Sequence, residues 1–308
     1  MNHTSSRILS GLGYSSDAKC LIIHADDLGV AHSVNAATFT GIRQGIISSA
    51  SVMVVCPWFS EVVRQCRQNA GIDIGIHLTL TSEWPDYRWR PLSSPAKVGS
   101  LIDDEGYFWK NEALLAQHAK AAEVELEVRA QIAAAITAGI QPTHLDSHML
   151  ALWIRPDLYQ MLPKVAHDYR LPFLGCNRFR GHQKLASRQP VEEVIFEKLS
   201  VADQQIASSC WREYYGRIIE EVPPGISQLI VHVGNDDEEL RAVTSNVADF
   251  GSAWRARDYD TIMDRSFQEA LVGRNIKLIG WKDIGITLGL IPELESESIA
   301  KRKLLFTH

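Results

Sequence analysis

Two adjacent carboxylates, Asp26 and Asp27, stand in the run Leu21-Ile22-Ile23-His24-Ala25-Asp26-Asp27-Leu28-Gly29, two residues past its aliphatic start and just before a glycine. No other feature restricts the fold of this chain as tightly. The apolar run reads as a buried strand, and the acids and glycine place its end at the start of a loop. Two acids without a basic neighbour repel each other, and beside a closed core they are costly unless a cation or a shared proton relieves them. The competing use of aspartate here is a turn or a helix N-cap. The metal reading instead asks for a fold that gathers strand ends at an open rim, where α/β enzymes keep their chemistry.

The same arrangement recurs along the chain. His77 stands near the end of the alternating run Ile72–Leu80, and His232 closes Leu229-Ile230-Val231 before Asp236 and Asp237. In Pro142–His148 the polar residues fall at every second position, so His144, Asp146 and His148 share one face of an extended strand. Four strand ends that each offer a ligand are more than caps and backbone-bonded histidines explain. His24, His32 and His167 read as backbone-bonded or surface histidines, and His118 as a helix-surface residue.

Helical stretches separate these runs. Residues 33–44, stopped by Gly45, precede a strand over 46–55; residues 59–69 precede the His77 strand. Residues 82–107 read as a long loop in which Trp84, Tyr87, Trp89 and nearby Phe108 either stack on a substrate ring or pin the loop. A helix over 112–138 leads into the His144 strand, followed by a helix over 156–169 and a short strand at 171–175 with Arg178 and Arg180 beyond it. Residues 190–223 read as mostly helical, then come a strand at 227–233, a helix at 259–274 and a last strand at 276–280. About seven strands alternating with helices predict a deformed or incomplete TIM-like (β/α) barrel in a single α/β domain. Residues 1–16 are expected to be a flexible leader and 17–308 the catalytic domain.

Composition narrows the function. A formal charge of −6 argues against a broad basic surface for nucleic acid. Five scattered cysteines without a CxxC spacing suggest neither a zinc knuckle nor a disulfide framework, and point to a reducing compartment. No signal peptide and no apolar run of membrane-spanning length is visible. The expectation is a cytoplasmic enzyme with a neutral or weakly charged substrate, and neither nucleic acid nor membrane as partner.

One carboxylate and two imidazoles leave positions open on a divalent cation, as catalysis requires. Zinc lowers the pKa of a bound water from about 15.7 to roughly 7. With Asp27 on the metal, Asp26 is free to act as general base and His232 to protonate the leaving group.

The runs Ala25–Gly29, Gly75–Thr81 and Pro142–His148 resemble the signatures of the YdjC-like carbohydrate deacetylases, a family that includes chitooligosaccharide deacetylases. The likeness continues through Leu229–His232 to Gly280–Ile284, nearly the whole chain after residue 18. It implies a deformed α/β barrel that removes acetyl groups from N-acetylated sugars with one divalent metal, commonly as a homodimer. Residue by residue it implies the base at Asp26, metal ligands at Asp27, His77 and His148, and flanking roles toward ligands or substrate for His144 and Asp146. His232 matches the late histidine of the family pattern. Met149 and Leu150 depart from it where further histidines often follow, as does Val233 where proline is common. Trp84 and Arg178 are further candidate substrate contacts. The ligand set suits magnesium or zinc, or else manganese or cobalt. The rival readings are a metal-dependent barrel sugar isomerase or epimerase, a mononuclear iron oxygenase, and a non-catalytic sugar-binding protein.

Overall fold

The computed structural model describes residues 1–69, 71–179 and 192–292. Its sheet is built from β1 (Lys19–Leu28), β2 (Ser49–Val52), β3 (Ile74–Leu78), β4 (Leu145–Ser147), β5 (Phe173–Leu174), β6 (Glu193–Val194), β7 (Lys198–Val201), β8 (Gly225–Val231) and β9 (Lys277–Leu278). Every pairing is parallel, in the order β6-β5-β4-β3-β2-β1-β8-β7, with β9 added beside the start of β1. Parallel pairing demands crossovers, and helices supply them, as the alternating pattern of the sequence requires.

The sheet curls. β6 and β7 are the two ends of the strand order, yet only residues 195–197 separate them in the chain. Four residue steps span at most about 14 Å, so the edges of the sheet face each other across a short gap. The result is the incomplete barrel expected from the sequence. β1, with its neighbours on both sides, is buried along nearly its whole length.

The N-terminal end of the barrel is plugged. The helix His3–Gly11, capped by Asn2 accepting from the Ser5 amide at 2.8 Å, buries Ile8 and Leu9 against Cys20, Ile22, Ile226 and Trp281. Residues 3–11 are thus a packed element, which corrects the expected flexible leader over 1–16. Burial of two aliphatic side chains outweighs the weak periodicity of a short polar segment.

Other segments also differ from the sequence expectation. The helix over 112–138 is two, Glu112–His118 and Ala121–Thr137, because Arg155 Nη1 draws the carbonyls of Ala116 and Ala119 out of the helical ladder at 2.9 and 2.8 Å. The 156–169 helix divides at Gln160, and the 259–274 segment belongs to two helices, Ser252–Met263 and Arg265–Gly273, that meet at Asp264. The described part of the segment expected to be mostly helical over 190–223 contains β6 and β7 before the single turn Ser208–Cys210 and the α-helix Trp211–Glu220. No described helix is long and apolar enough to cross a membrane.

Candidate active site

At the end of β1 the ladder to β2 slips. Ala25 pairs with Ala50, and the next pair is Leu28 with Val52, so three steps on one strand oppose two on the other. In a regular strand Asp26 and Asp27 would point to opposite faces. Asp27 instead has φ 64°, a left-handed conformation that aspartate tolerates better than most residues. Both carboxylates therefore reach one imidazole: His77 Nε2 lies 3.8 Å from Asp26 Oδ2 and 3.5 Å from Asp27 Oδ1. Gly29, at φ 97°, completes the turn where a Cβ would stand 3.2 Å from the Met53 carbonyl oxygen.

The inward residues stack in layers from the plugged end to the rim. His144 lies deepest, stacked on Trp281 at 4.7 Å, in a space that exists because Gly75 has no side chain; a Cβ there would come within 2.4 Å of the ring. Above it, Asp146 accepts from His77 Nδ1 at 2.8 Å through Oδ1, and its Oδ2 lies 2.9 Å from His24 Nε2. His148 stands at the rim beside Asp27. The shared face expected of His144, Asp146 and His148 is present, with the three side chains at three depths.

Asp27 Oδ1, His77 Nε2 and His148 Nδ1 form a triangle with sides of 3.5, 3.1 and 3.3 Å. Its circumradius, about 1.9 Å, is just under the usual metal–nitrogen and metal–oxygen distance of about 2.0–2.2 Å. Each ring has its other nitrogen tied to a carboxylate: His77 Nδ1 to Asp146, and His148 Nε2 to Glu83 at 3.1 Å. Tautomers assigned from these partners leave the nitrogen at each ring's corner of the triangle with a free lone pair. Asp27 Oδ1 is itself buried without a well-directed hydrogen bond. These buried groups could hold a metal ion.

The charge balance agrees. Among the described residues, Asp26, Asp27, Asp146 and Glu83 together pair with one permanent cation, Arg255, whose Nη2 donates to Asp27 Oδ2 at 2.6 Å and whose Nε donates to the Phe250 carbonyl at 2.7 Å. Burial opposes ionisation of Asp27, but Arg255 and the His148 and His77 rings outweigh it and hold the carboxyl well below its usual range. Burial likewise works against charging His148, while Glu83 and Asp27 push its pKa up to about 9. A metal would compete with protons for these ring nitrogens, so its binding would be pH-dependent.

His232, just past β8, has its Nε2 3.8 Å from Asp26 Oδ2. Its backbone amide donates to Asp258 Oδ2 at 2.9 Å, and Phe250 covers its ring at 4.6 Å. Burial pushes its pKa down to about 4, despite the Asp27 and Asp26 charges that act the other way. Burial also pushes Asp258 up to about 6, against hydrogen bonds from Tyr215, the His232 amide and Trp211.

The remaining sequence candidates fare differently. Trp84, Trp89 and Phe108 are buried; Trp89 Nε1 donates to the Thr81 carbonyl and the Tyr87 hydroxyl to the Val30 carbonyl, so these rings pin the loop. Trp84 lies under the Arg255 guanidinium at 5.6 Å rather than offering an open stacking face. Arg178 is exposed on the turn Asn177–Phe179 beyond β5, and Arg180 lies outside the described residues. His32 and His167 are exposed and His118 stacks on Trp109 at 4.3 Å, in line with their bland readings. His24 is a correction: it is fully buried and bonded to side chains, not to backbone or solvent.

Glu83, Arg255 and Asp258 were not visible in the sequence as site residues. Glu83 carried a faint signal, an acid shortly past the His77 strand. Arg255 and Asp258 reach the barrel from the helix Ser252–Met263, and nothing in their local sequence marks them.

Comparison with known proteins gives a consistent result. The sequence profile described as YdjC-like protein matches residues 20–272. A carbohydrate deacetylase of Thermus thermophilus is 43% identical over 231 residues, covering 73% of this chain and 81% of the relative. One of Clostridium beijerinckii is 25% identical over 266 residues, covering 86% and 99%. A solved structure from Enterococcus faecalis, proposed as a cellobiose-phosphate cleavage protein, superposes with a TM-score of 0.72 at 23% identity, over 87% of this chain and 99% of that one, a likeness of fold. This chain belongs to the YdjC-like protein family.

Proposed function

We propose that this protein is a carbohydrate deacetylase, a metal-dependent hydrolase that removes acetyl groups from N-acetylated sugars or oligosaccharides. The observation that carries the reading is the convergence of Asp27 Oδ1, His77 Nε2 and His148 Nδ1 on one point, with the Asp26 carboxylate beside them. These three residues would hold one divalent cation, magnesium or zinc first, manganese or cobalt otherwise. Such an ion lowers the pKa of a water and polarises the acetamide carbonyl.

The chain's own groups do the rest. Asp26 Oδ2 accepts the proton of the attacking water. His232, neutral at rest because burial depresses its pKa to about 4, relays that proton to the departing amine once its Nε2, 3.8 Å from Asp26 Oδ2, closes to hydrogen-bond distance. Arg255 holds Asp27 Oδ2, leaving Oδ1 for the cation. Asp146 and Glu83 fix the ring orientations of His77 and His148. His144, stacked on Trp281, supports the layer above it rather than touching substrate. The exposed Arg178 is the candidate outer contact for the sugar. Five unbridged cysteines support action in a reducing compartment, and the family likeness supports a homodimer.

The test is acetate release from diacetylchitobiose and its longer homologues by metal-loaded protein, with Asp26→Asn and His148→Ala in parallel. Release that both variants lose supports the reading. A protein that binds metal but frees no acetate from any N-acetylated sugar overturns it and favours the isomerase.

A further inference from the structure

One buried group touches both halves of this machinery. His24 lies on β1 two residues before Asp26, fully buried. Its Nε2 is hydrogen-bonded to Asp146 Oδ2 at 2.9 Å and to Ser51 Oγ at 3.1 Å, and it lies 3.2 Å from Asp26 Oδ1, a buried oxygen without a well-directed hydrogen bond of its own. Its Nδ1 is buried with no hydrogen-bond partner. All the polar contacts of the ring therefore run through one nitrogen. Two carboxylate oxygens beside that nitrogen require a proton on it, because a bare lone pair would face acceptors on both sides. The edge of the His24 ring also meets His144 at 5.0 Å and 72°, which blocks rotation toward the plugged end of the barrel.

We propose that His24 is a positioning residue whose single Nε2–H is hydrogen-bonded to Asp146 Oδ2 and sets the place of Asp26 Oδ1 by a 3.2 Å charge contact, so that the base and the carboxylate orienting His77 are built as one unit. The inference rests on the assignment of Asp26 as base. With Oδ1 facing His24 Nε2, Asp26 presents Oδ2 to the space between His77 Nε2 and His232 Nε2, each 3.8 Å away. Asp146, held through Oδ2, keeps Oδ1 on His77 Nδ1 at 2.8 Å and so aims His77 Nε2 at the cation position. Ser51 Oγ, 3.0 Å from His77 Nδ1 and 3.1 Å from His24 Nε2, closes the same network. A displacement of about 1 Å at a reacting group is enough to cost on the order of 100-fold in rate.

The experiment compares His24→Leu, which fills the space without a donor, with His24→Asn, which returns an N–H. Cobalt affinity of chelator-stripped protein is measured by calorimetry, and kcat and KM for acetate release on the cobalt-loaded protein. For His24→Leu the expected result is a cobalt Kd weakened about 10-fold and a kcat lowered about 100-fold, with KM changed less than about 3-fold. His24→Asn should recover both to within about 5-fold of wild type. A His24→Leu protein equal to wild type in both, or a His24→Asn protein as impaired as His24→Leu, overturns the proposal. Long-range proton–nitrogen NMR of the wild type adds an arm that needs no variant to fold: a proton on His24 Nε2 at neutral pH supports the proposal, and its absence overturns it. If the wild type binds cobalt but releases no acetate, the deacetylase reading falls, while the cobalt affinities still decide the role of His24.

Discussion

The two halves of the barrel are built on different terms. β1 runs for ten residues and carries His24, Asp26 and Asp27, and with β2, β3, β4 and the end of β8 it lines the interior with a hydrogen-bonded polar column. β5 and β6 are two residues each, and Leu174, Val194 and Phe196 join Ile8, Ile22 and Trp281 in an apolar cluster. The first half devotes its interior to orienting charge; the second closes the wall. Isosteric substitutions on the strands of the first should therefore change chemistry more than stability, and substitutions in the second the reverse.

The sharpest test of that contrast is Asp26→Asn, isosteric and on the polar side. We expect kcat for acetate release to fall about 10³-fold, some 4 kcal/mol of transition-state stabilisation, with the thermal midpoint nearly unmoved. A large loss of stability would mean that the polar column is structural after all. Arg255→Met should come next, because it leaves Asp27 as an unpaired buried charge. Urea unfolding of stripped protein should show a loss of about 3–5 kcal/mol, and a smaller loss at saturating metal, where a bound cation replaces the missing charge. Equal losses in both conditions would detach Arg255 from the metal site.

Asp258 gives a pH signature of similar size. Its carboxyl sits at about 6 in the fold against an ordinary 3.8, so between these values the folded protein holds a proton that the unfolded chain releases. Its contribution to stability is therefore lost as pH rises through that window, by about 3 kcal/mol in total. Unfolding free energies of wild type and Asp258→Asn should shift in the variant's favour by that amount between about pH 4 and pH 7. A gap that does not change with pH would remove the assignment. The smallest effect belongs to the closing half: Leu174→Ala, 5% exposed in the wild type, should cost about 2 kcal/mol of stability and leave kcat and KM within about 2-fold. A comparable loss of kcat would break the division between the halves.

That same division governs what could be read from the sequence. The site-bearing strands were legible because each couples a run of aliphatics to a ligand residue at its end, a pattern with few structural uses. The wall was not. Residues 193–201 carry helix-favouring charges at Glu193, Glu197 and Lys198, and the two short strands there pair with β5 and β8, which come from elsewhere in the chain. The break after His118 depends on Arg155, 36 residues beyond Ala119, a contact no local window contains. Within the site, the Asp26–Asp27 pair was clear, but the bulge that turns both acids inward is set by pairing with β2. His24 looked ordinary because its partners Ser51 and Asp146 come from other strands.

The central claim is that one cation held by Asp27, His77 and His148 enables acetate release. The most direct measurement adds metal stepwise to chelator-stripped protein and follows acetate from an N-acetylated oligosaccharide on the same sample. The account predicts no release without metal and a rise that levels off at about one equivalent, as a single open-coordination site requires. Full release from the stripped protein, or none at any metal content, would contradict it.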